Sequence, residues 1–288
     1  MLGRDGLTAL SRLVIEITLP AMIFCNLLKD FSFQLYPDWW IFPVMSVAII
    51  LVGFLIGCLF IGFFPGSQKK LQFISLIAFQ NSGYLPLALF AALLPPATRN
   101  TIFIYLFLFL LGFNLLMWSF GAYLLTFTRA KKFELATLFS PPVIATLVSL
   151  LIVYFGWQRF VPRMITQPLE MVGECTLPLA MFVVGGGLAQ IKFLHVDIKA
   201  MSLMVLAKLV ILPLIGYWFI LRYNLPELMG LLLLVQLAAP PATSLSVITT
   251  HYKKDDLLIS QGIFFGHIIS IITIPLFLSI YFSRVMIK

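Results

Sequence analysis

The sequence repeats Glu16-Ile-Thr-Leu-Pro20-Ala-Met-Ile-Phe24 as Glu174-Cys-Thr-Leu-Pro178-Leu-Ala-Met-Phe182, 158 residues further along the chain. The two stretches share Glu, Thr, Leu, Pro and Phe at the same positions. Glutamate and proline are scarce inside apolar segments, so their agreement indicates an internal repeat. Nearly the same spacing, 156 residues, leads from Gln80 to Gln236, and each glutamine precedes a proline-containing break. We therefore expect two structural repeats.

The composition places both repeats in a membrane. Of the 288 residues, 61% are hydrophobic and only 10% are charged, whereas a soluble domain has about 25% charged residues. The mean hydropathy is +1.05. So few polar residues cannot cover a water-soluble surface, which excludes a cytosolic enzyme, a nucleic-acid-binding module and a disordered chain. The net charge of +8 is typical of topology signals at membrane edges rather than of nucleic-acid binding.

Hydropathy predicts an all-α membrane protein with about nine transmembrane helices. The predicted segments are 7–29, 39–63, 71–94, 101–128, 139–156, 168–191, 199–222, 227–250 and 256–282. The repeated motif lies in the first and sixth segments, which cross in opposite directions, so the repeat is inverted, as in many secondary transporters. Residues 1–128 would form the first repeat and 138–288 the second. The first repeat has four segments and the second has five, which predicts a ten-helix fold that lacks its leading helix.

Positive residues predict the orientation in the cell membrane. Eleven Lys and Arg residues flank the segments on the N-terminal side and seven on the other, so we expect a cytoplasmic N-terminus and an external C-terminus. The first group is Arg4, Arg12, Lys69, Lys70, Arg129, Lys131, Lys132, Lys192, Lys199, Lys253 and Lys254, and the second is Lys29, Arg99, Arg159, Arg163, Arg222, Arg284 and Lys288.

Two of the segments are interrupted halfway. The breaks are Gln80-Asn-Ser-Gly-Tyr-Leu-Pro86 and Ala238-Ala-Pro-Pro-Ala-Thr-Ser244. A proline inside a helix removes a hydrogen bond and clashes with the preceding turn. Freed backbone groups at bilayer depth must line a cavity or be buried in protein. A half-helix that starts there points bare N–H groups at an anion, although a simple kink is the alternative for each proline.

These features give a set of candidate site residues. Lys208 lies deep in its segment, where an uncompensated charge is costly, so it acts either as a substrate counter-ion or in a structural pair. His267 is either a proton relay or a packed polar residue. The predicted substrate contacts are Asn81, Ser82, Gly83, Lys208, Thr243 and Ser244; the helix-breaking residues are Pro86, Pro240 and Pro241; the coupling candidates are Gln80, Gln236, His267 and Glu174. No cysteine or histidine cluster predicts a metal or another cofactor.

Several of these motifs resemble the auxin efflux carrier family, which includes bacterial malate and malonate permeases. The matching stretches are Asn81-Ser-Gly-Tyr-Leu-Pro-Leu87, Pro178 to Ala189, Lys208-Leu-Val-Ile-Leu-Pro213, Ala238 to Ser244, His251-Tyr-Lys-Lys-Asp-Asp256 and Ile274-Pro-Leu276. The resemblance implies two inverted five-helix repeats, a fold akin to that of the bile acid/sodium symporters, small organic anions as substrates, and a homodimer through the scaffold. It also implies a scaffold of segments 7–29, 139–156 and 168–191, and a transport domain of the other six.

The sequence thus predicts a secondary-active transporter or permease for a small organic anion, a carboxylate, that works by alternating access and is driven by H⁺, Na⁺ or the membrane potential. A sodium-coupled symporter of the bile acid type is the nearest alternative, and a non-transporting receptor or scaffold is another. An intramembrane enzyme is disfavoured because His195 and His251 lie in predicted loops and His267 has no nucleophile beside it.

Overall fold

A computed structural model describes residues 3–126, 139–189, 196–251 and 257–286, and the regular elements in these ranges are helices. They are α1 Arg4–Leu13, α2 Leu19–Asp30, α3 Ile41–Leu59, α4 Ser67–Ala78, α5 Tyr84–Leu93, α6 Pro96–Leu116, α7 Ala122–Thr126, α8 Pro141–Tyr154, α9 Arg163–Glu174, α10 Thr176–Ala189, α11 Ile198–Val205, α12 Leu212–Tyr223, α13 Glu227–Ala238, α14 Ser244–His251 and α15 Leu257–Tyr281. The predicted junction of the repeats, His195 and several charges of the topology count lie outside the described residues: Arg129, Lys131, Lys132, Lys192, Lys253, Lys254 and Lys288.

The prediction of an all-α, multi-pass membrane protein is confirmed. Six helical runs of the described chain are long and apolar enough to cross a membrane: Gly6–Asp30, Ile41–Leu59, Pro96–Leu125, Arg163–Ala189, Ile198–Tyr223 and Leu257–Val285. Three shorter apolar helices accompany them: Tyr84–Leu93, Pro141–Tyr154 and Glu227–Ala238. Segments 71–94 and 227–250 are each divided into two helices, as their breaks predict.

Some predicted boundaries are wrong by a few residues. The helix predicted at 39–63 ends at Leu59. The helices predicted from 101 and 168 begin earlier, at Pro96 and Arg163. Pro96 is the first residue of its helix, where a missing N–H costs nothing and the fixed φ of proline suits helical geometry. Sequence reasoning treated this proline as part of a loop.

The described residues form two compact units. The first comprises residues up to Ser46, Gly83–Trp118 and 139–189. The second comprises Val47–Ser82, 119–126, 196–251 and 257–286. Helices α2, α8 and α9 pack together in the first unit. A Cβ at Gly173 of α9 would lie 2.8 Å from the Cα of Met22, so this glycine permits the close approach of α9 to α2.

The first halves of the two broken helices lie at the centre of the second unit. Every residue from Gln72 to Ala78 in α4 is buried, and so is every residue from Gly230 to Ala238 in α13. A helix that is apolar all round belongs in a protein interior. Helices α11 and α15 pack against α4, and α12 and α15 pack against α13.

Two pairs of glycines let α3 and α15 approach α4 and the second break closely. Gly53 and Gly57 lie one helical turn apart in α3, and Cβ atoms there would lie 2.8 Å from the Cα of Ala78 and 3.1 Å from the Cα of Ile74. In α15, Gly262 contacts Leu76 and Gly266 contacts Pro241 of the second break in the same way. Both pairs have the Gly-x-x-x-Gly spacing that allows close helix contact in membranes.

Candidate functional site

The two helix breaks cross in the second unit and satisfy each other's backbone groups. The N–H of Asn81 donates to the carbonyl of Pro240 at 2.8 Å, and the N–H of Ala242 donates to the carbonyl of Phe79 at 3.0 Å. These bonds flank an antiparallel bridge between Gln80 and Pro241. Lipid offers no hydrogen-bonding partners, so irregular backbone at this depth is stable only when protein groups or a polar cavity satisfy it.

The second break follows directly from its two prolines. In an α-helix the N–H of each residue donates to the carbonyl four residues earlier. Pro240 and Pro241 have no N–H, so the carbonyls of Gln236 and Leu237 lose their helical donors. Helix α13 accordingly ends at Ala238, and Ala239 is extended, with φ −63° and ψ 138°.

The first break is shorter than predicted because Pro86 lies inside a helix. Helix α5 begins at Tyr84, so Pro86 is the third residue of its first turn, where a helix has no internal partner for the N–H. The carbonyl of Ser82 lies just before this helix and accepts no bond from its first turn. The side chain of Gln236 supplies a donor, with Nε2 at 3.2 Å from the oxygen of Ser82.

Lys208 satisfies a second freed carbonyl of the first break. The carbonyl of Ile77 would accept from Asn81 in a continuous helix, but the N–H of Asn81 donates to Pro240. The Nζ of Lys208 takes its place at 2.9 Å. This lysine is fully buried, it lies in a π-helical turn, and its ammonium group meets the C-terminal end of α4, where the helix dipole favours positive charge.

The site also contains a buried amide–imidazole pair. Nδ2 of Asn81 lies 3.1 Å from Nε2 of His267. The other ring nitrogen of His267, Nδ1, lies 2.7 Å from the carbonyl of Ile263. Both side chains are buried, so the pair connects the first break to α15 without contact with solvent.

Gln80 and Gln236, the residues related by the repeat, carry unsatisfied polar atoms. Both side chains are 0% exposed. Neither the Nε2 nor the Oε1 of Gln80 has a hydrogen-bond partner in the described structure, and the Oε1 of Gln236 has none either. A buried polar atom without a partner costs about 1–3 kcal/mol. A polar ligand at the crossing would remove this cost.

The structure thus brings most of the predicted site residues together. Hydrogen bonds or the bridge join a set that lies in the second unit: Gln80, Asn81, Ser82, Lys208, Gln236, Pro240, Pro241 and His267. Thr243 and Ser244 follow directly and are partly exposed, and Ser244 begins α14. Gly83 and Pro86 belong to the first unit, as does Glu174, which is exposed at the end of α9 and is not part of this set.

Sequence reasoning missed two parts of the site. The backbone carbonyls of Ile77 and Phe79 carry no sequence signal, because any residue has a carbonyl. The Gly262–Gly266 spacing, by contrast, could have been read as a close-packing motif beside the second break. It brings α15 near enough for His267 to meet Asn81.

Comparison with known proteins agrees with the geometry of the breaks. A family model described as membrane transport protein matches residues 1–137 and 124–278. The chain belongs to this family. The match confirms the resemblance to the auxin efflux carriers and makes the chain a multi-pass membrane protein of a transport family.

One curated relative of this membrane transport protein is an uncharacterized transporter, MJ1031, from Methanocaldococcus jannaschii. The two are 27% identical over 137 residues, which cover 47% of this chain and 44% of the relative. The match therefore spans less than half of the relative's length. Family membership favours transport over catalysis for this chain.

Proposed function

We propose that this membrane transport protein is a secondary-active permease for a small organic anion, a carboxylate, which it binds at the crossing of the two helix breaks and carries by alternating access. The observation that carries the proposal is a buried lysine without a buried acidic partner. Among the described residues, Lys208 is the only Lys, Arg, Asp or Glu side chain that is buried. A charge in a membrane interior needs a partner or a polar cavity, and an anionic substrate is such a partner.

The hydrogen-bonding capacity of Lys208 supports this role. An ammonium group has three donors, and in the described structure one of them donates to Ile77. Charge-assisted hydrogen bonds to a carboxylate are about twice as strong as those between neutral groups. A carboxylate at Lys208 would use the remaining donors, and the amide of Gln80 would supply another.

The remaining substrate contacts are proposed because these residues lie at the two breaks. The side chain of Asn81 and the hydroxyl of Ser82 lie at the first break, while Thr243 and Ser244 lie where the second break leads into α14. The N-terminus of a helix presents free N–H groups to an anion. Gly83 is included because it has no side chain to obstruct a ligand.

Alternating access would move the transport helices relative to a scaffold. The helices proposed as scaffold, α1, α2, α8, α9 and α10, all belong to the first unit, although α5 and α6, which lie in segments proposed for transport, belong to it as well. The C-terminal helices α11 to α15, all proposed as transport helices, belong to the second. A homodimer through the scaffold, a cytoplasmic N-terminus, and coupling roles for Gln80, Gln236 and Glu174 remain parts of the proposal.

The sodium-coupled alternative receives less support from the site. Na⁺ is a hard cation that prefers carboxylate and carbonyl oxygens, as Ca²⁺ and Mg²⁺ do. The described residues around the crossing supply amide and carbonyl oxygens but no buried carboxylate. A cation would also meet the ammonium group of Lys208 as a like charge.

The test is uptake of a panel of labelled carboxylates by proteoliposomes that contain the purified protein, with imposed proton gradients, sodium gradients or neither. We expect uptake of at least one carboxylate by the wild type and a fall to the level of empty liposomes for Lys208→Met. Lys199→Met is the matched control, because Lys199 is an exposed lysine of the adjoining helix α11. Retention of full uptake by folded K208M would contradict the proposal, and binding without uptake would favour the receptor alternative.

A further inference from the structure

His267 is held so that one of its protonation states fits the site. A backbone carbonyl can only accept a hydrogen bond, so the contact of Nδ1 with Ile263 at 2.7 Å requires a proton on Nδ1. In the neutral ring the proton on Nδ1 leaves a lone pair on Nε2. This lone pair accepts from Nδ2 of Asn81, which lies 3.1 Å away.

A second proton on His267 would reverse this contact. The imidazolium ion has an N–H at both ring nitrogens, and Nε2–H would then face the NH₂ group of Asn81, so that two donors would meet. The backbone of Asn81 cannot move away freely, because its N–H is bonded to Pro240 at 2.8 Å. A half-turn of the Asn81 side-chain amide separates the two donors, after which Oδ1 of Asn81 accepts from Nε2–H of His267.

We propose that His267 is the proton-binding site of this transporter and that its protonation turns the Asn81 amide toward the substrate as a hydrogen-bond donor. With neutral His267, Asn81 directs Nδ2 to the ring and leaves Oδ1, an acceptor, for the crossing. With protonated His267, Oδ1 binds the ring and Nδ2 is presented instead. A carboxylate needs donors, so the proton and the anion favour each other's binding. The proton comes from water and joins the Nε2 lone pair, and no other bond changes.

Most of the charged groups on the elements around His267 are not buried. The elements packed against α15 are α4, α11, α13, α14 and the π turns that hold Lys208 and Arg284. We also count Asp197, at the N-cap of α11, and Tyr281, on α15 itself. Among the described side chains, the titratable or charged groups are then Lys69, Lys70, Asp197, Lys199, Lys208, Glu227, Tyr281 and Arg284. Only Lys208 and Tyr281 of these are buried. Protonation of His267 would therefore add a second buried cation to the second unit, and a bound anion is the kind of partner that a buried charge needs.

This inference rests on the proposed function for its anion, but the proton switch itself can be measured without a substrate. The full-length protein, labelled in histidine and asparagine side chains and held in lipid nanodiscs, is titrated by NMR between about pH 5 and pH 8. The chain has three histidines, and the signal that disappears in His267→Gln identifies His267. We expect the Nδ1–H tautomer at high pH, and a change in the Asn81 amide signal with the same midpoint as the protonation of His267.

Ser270→Ala is the matched control, because Ser270 is a buried polar residue one turn away on α15 whose hydroxyl donates to the backbone carbonyl of His267. This variant should titrate as the wild type does. In H267Q the Asn81 signal should not respond to pH. Any of three results would overturn the inference: an Nε2–H tautomer at high pH, a ring that stays neutral throughout the titration, or an Asn81 amide signal that does not change when His267 is protonated. All three can be observed with the wild-type protein alone.

Transport assays separate the two proposals. In proteoliposomes, an inward proton gradient should accelerate carboxylate uptake by the wild type on the order of tenfold, a typical size for coupling between two sites, and H267Q should lose this response. Uptake that does not depend on the proton gradient would overturn the proposed proton site but not the proposed carboxylate transport. No uptake of any carboxylate under any gradient would contradict the permease, while the NMR titration would still decide the switch.

Discussion

The two helix breaks occupy related positions of the repeat but are stabilised by different means. The second break contains Pro240 and Pro241, whose missing N–H groups interrupt the helix by covalent structure alone. The first break has no proline in its extended part, and its freed carbonyls accept from Lys208 and Gln236. One break is therefore fixed by its own backbone, whereas the other depends on buried side chains of distant segments. We therefore expect the first break, rather than the second, to respond to a ligand.

Removal of the fixed break should have the largest effect. With alanine at positions 240 and 241, both N–H groups return and can donate to Gln236 and Leu237, so that α13 and α14 can join into one helix. We expect carboxylate uptake by the double variant P240A/P241A to fall to the level of empty liposomes while the protein remains folded by circular dichroism. Unchanged uptake would mean that the break is incidental to transport.

Loss of the lysine should destabilise the first break selectively. In K208M the carbonyl of Ile77 keeps its burial but loses its donor, at a cost of about 1–3 kcal/mol in the free energy of unfolding. Denaturant unfolding in detergent measures this cost, with K199M as the exposed control. A stability of K208M equal to that of the wild type would show that Ile77 finds another donor.

Close packing against α4 gives a prediction of similar size. Gly53→Ala places a Cβ 2.8 Å from the Cα of Ala78, and overpacking of this kind costs about 1–3 kcal/mol. Gly187 of α10 is the matched control, because a Cβ there has no neighbour within 4 Å. If G53A and G187A are equally stable, the contact between α3 and α4 is looser than described.

The smallest effect is the most specific to the first break. Gln236→Met removes the donor of the Ser82 carbonyl and should cost about 1 kcal/mol in the free energy of unfolding. Pro86→Ala should not restore that donor, because an N–H in the first turn of a helix has no internal partner, so a double-mutant cycle should find the two substitutions additive. A smaller cost of Q236M in the P86A background would show that an N–H at position 86 reaches Ser82.

Much of this arrangement could be predicted from the sequence. Hydropathy located the helices, and the polar, proline-containing stretches located both breaks, because proline chemistry is local. The partners of Lys208 and Gln236 could not be predicted, since they are backbone carbonyls more than a hundred residues away. The position of Pro86 was misjudged for a related reason: a proline in the first turn of a helix starts it rather than breaks it.

The candidate site was predicted as residues rather than as geometry. Asn81 and His267 were both singled out, but their contact depends on the close approach of α15, which a pair of glycines permits. Glu174 was singled out because it accompanies a repeated proline. It lies exposed at the end of α9, where a carboxylate needs no buried partner. Polar residues in apolar segments thus identify candidates, and only packing shows which of them meet.

In the proposed mechanism, the crossing binds an organic anion through the charge of Lys208. The most direct test is the thermal stability of the purified wild type and K208M in the presence of carboxylates and of their uncharged amide analogues, because a ligand that binds the folded state raises the melting temperature. We expect that at least one carboxylate stabilises the wild type, that its amide analogue does not, and that neither stabilises K208M. Equal stabilisation of both proteins by the carboxylate would contradict anion binding through Lys208.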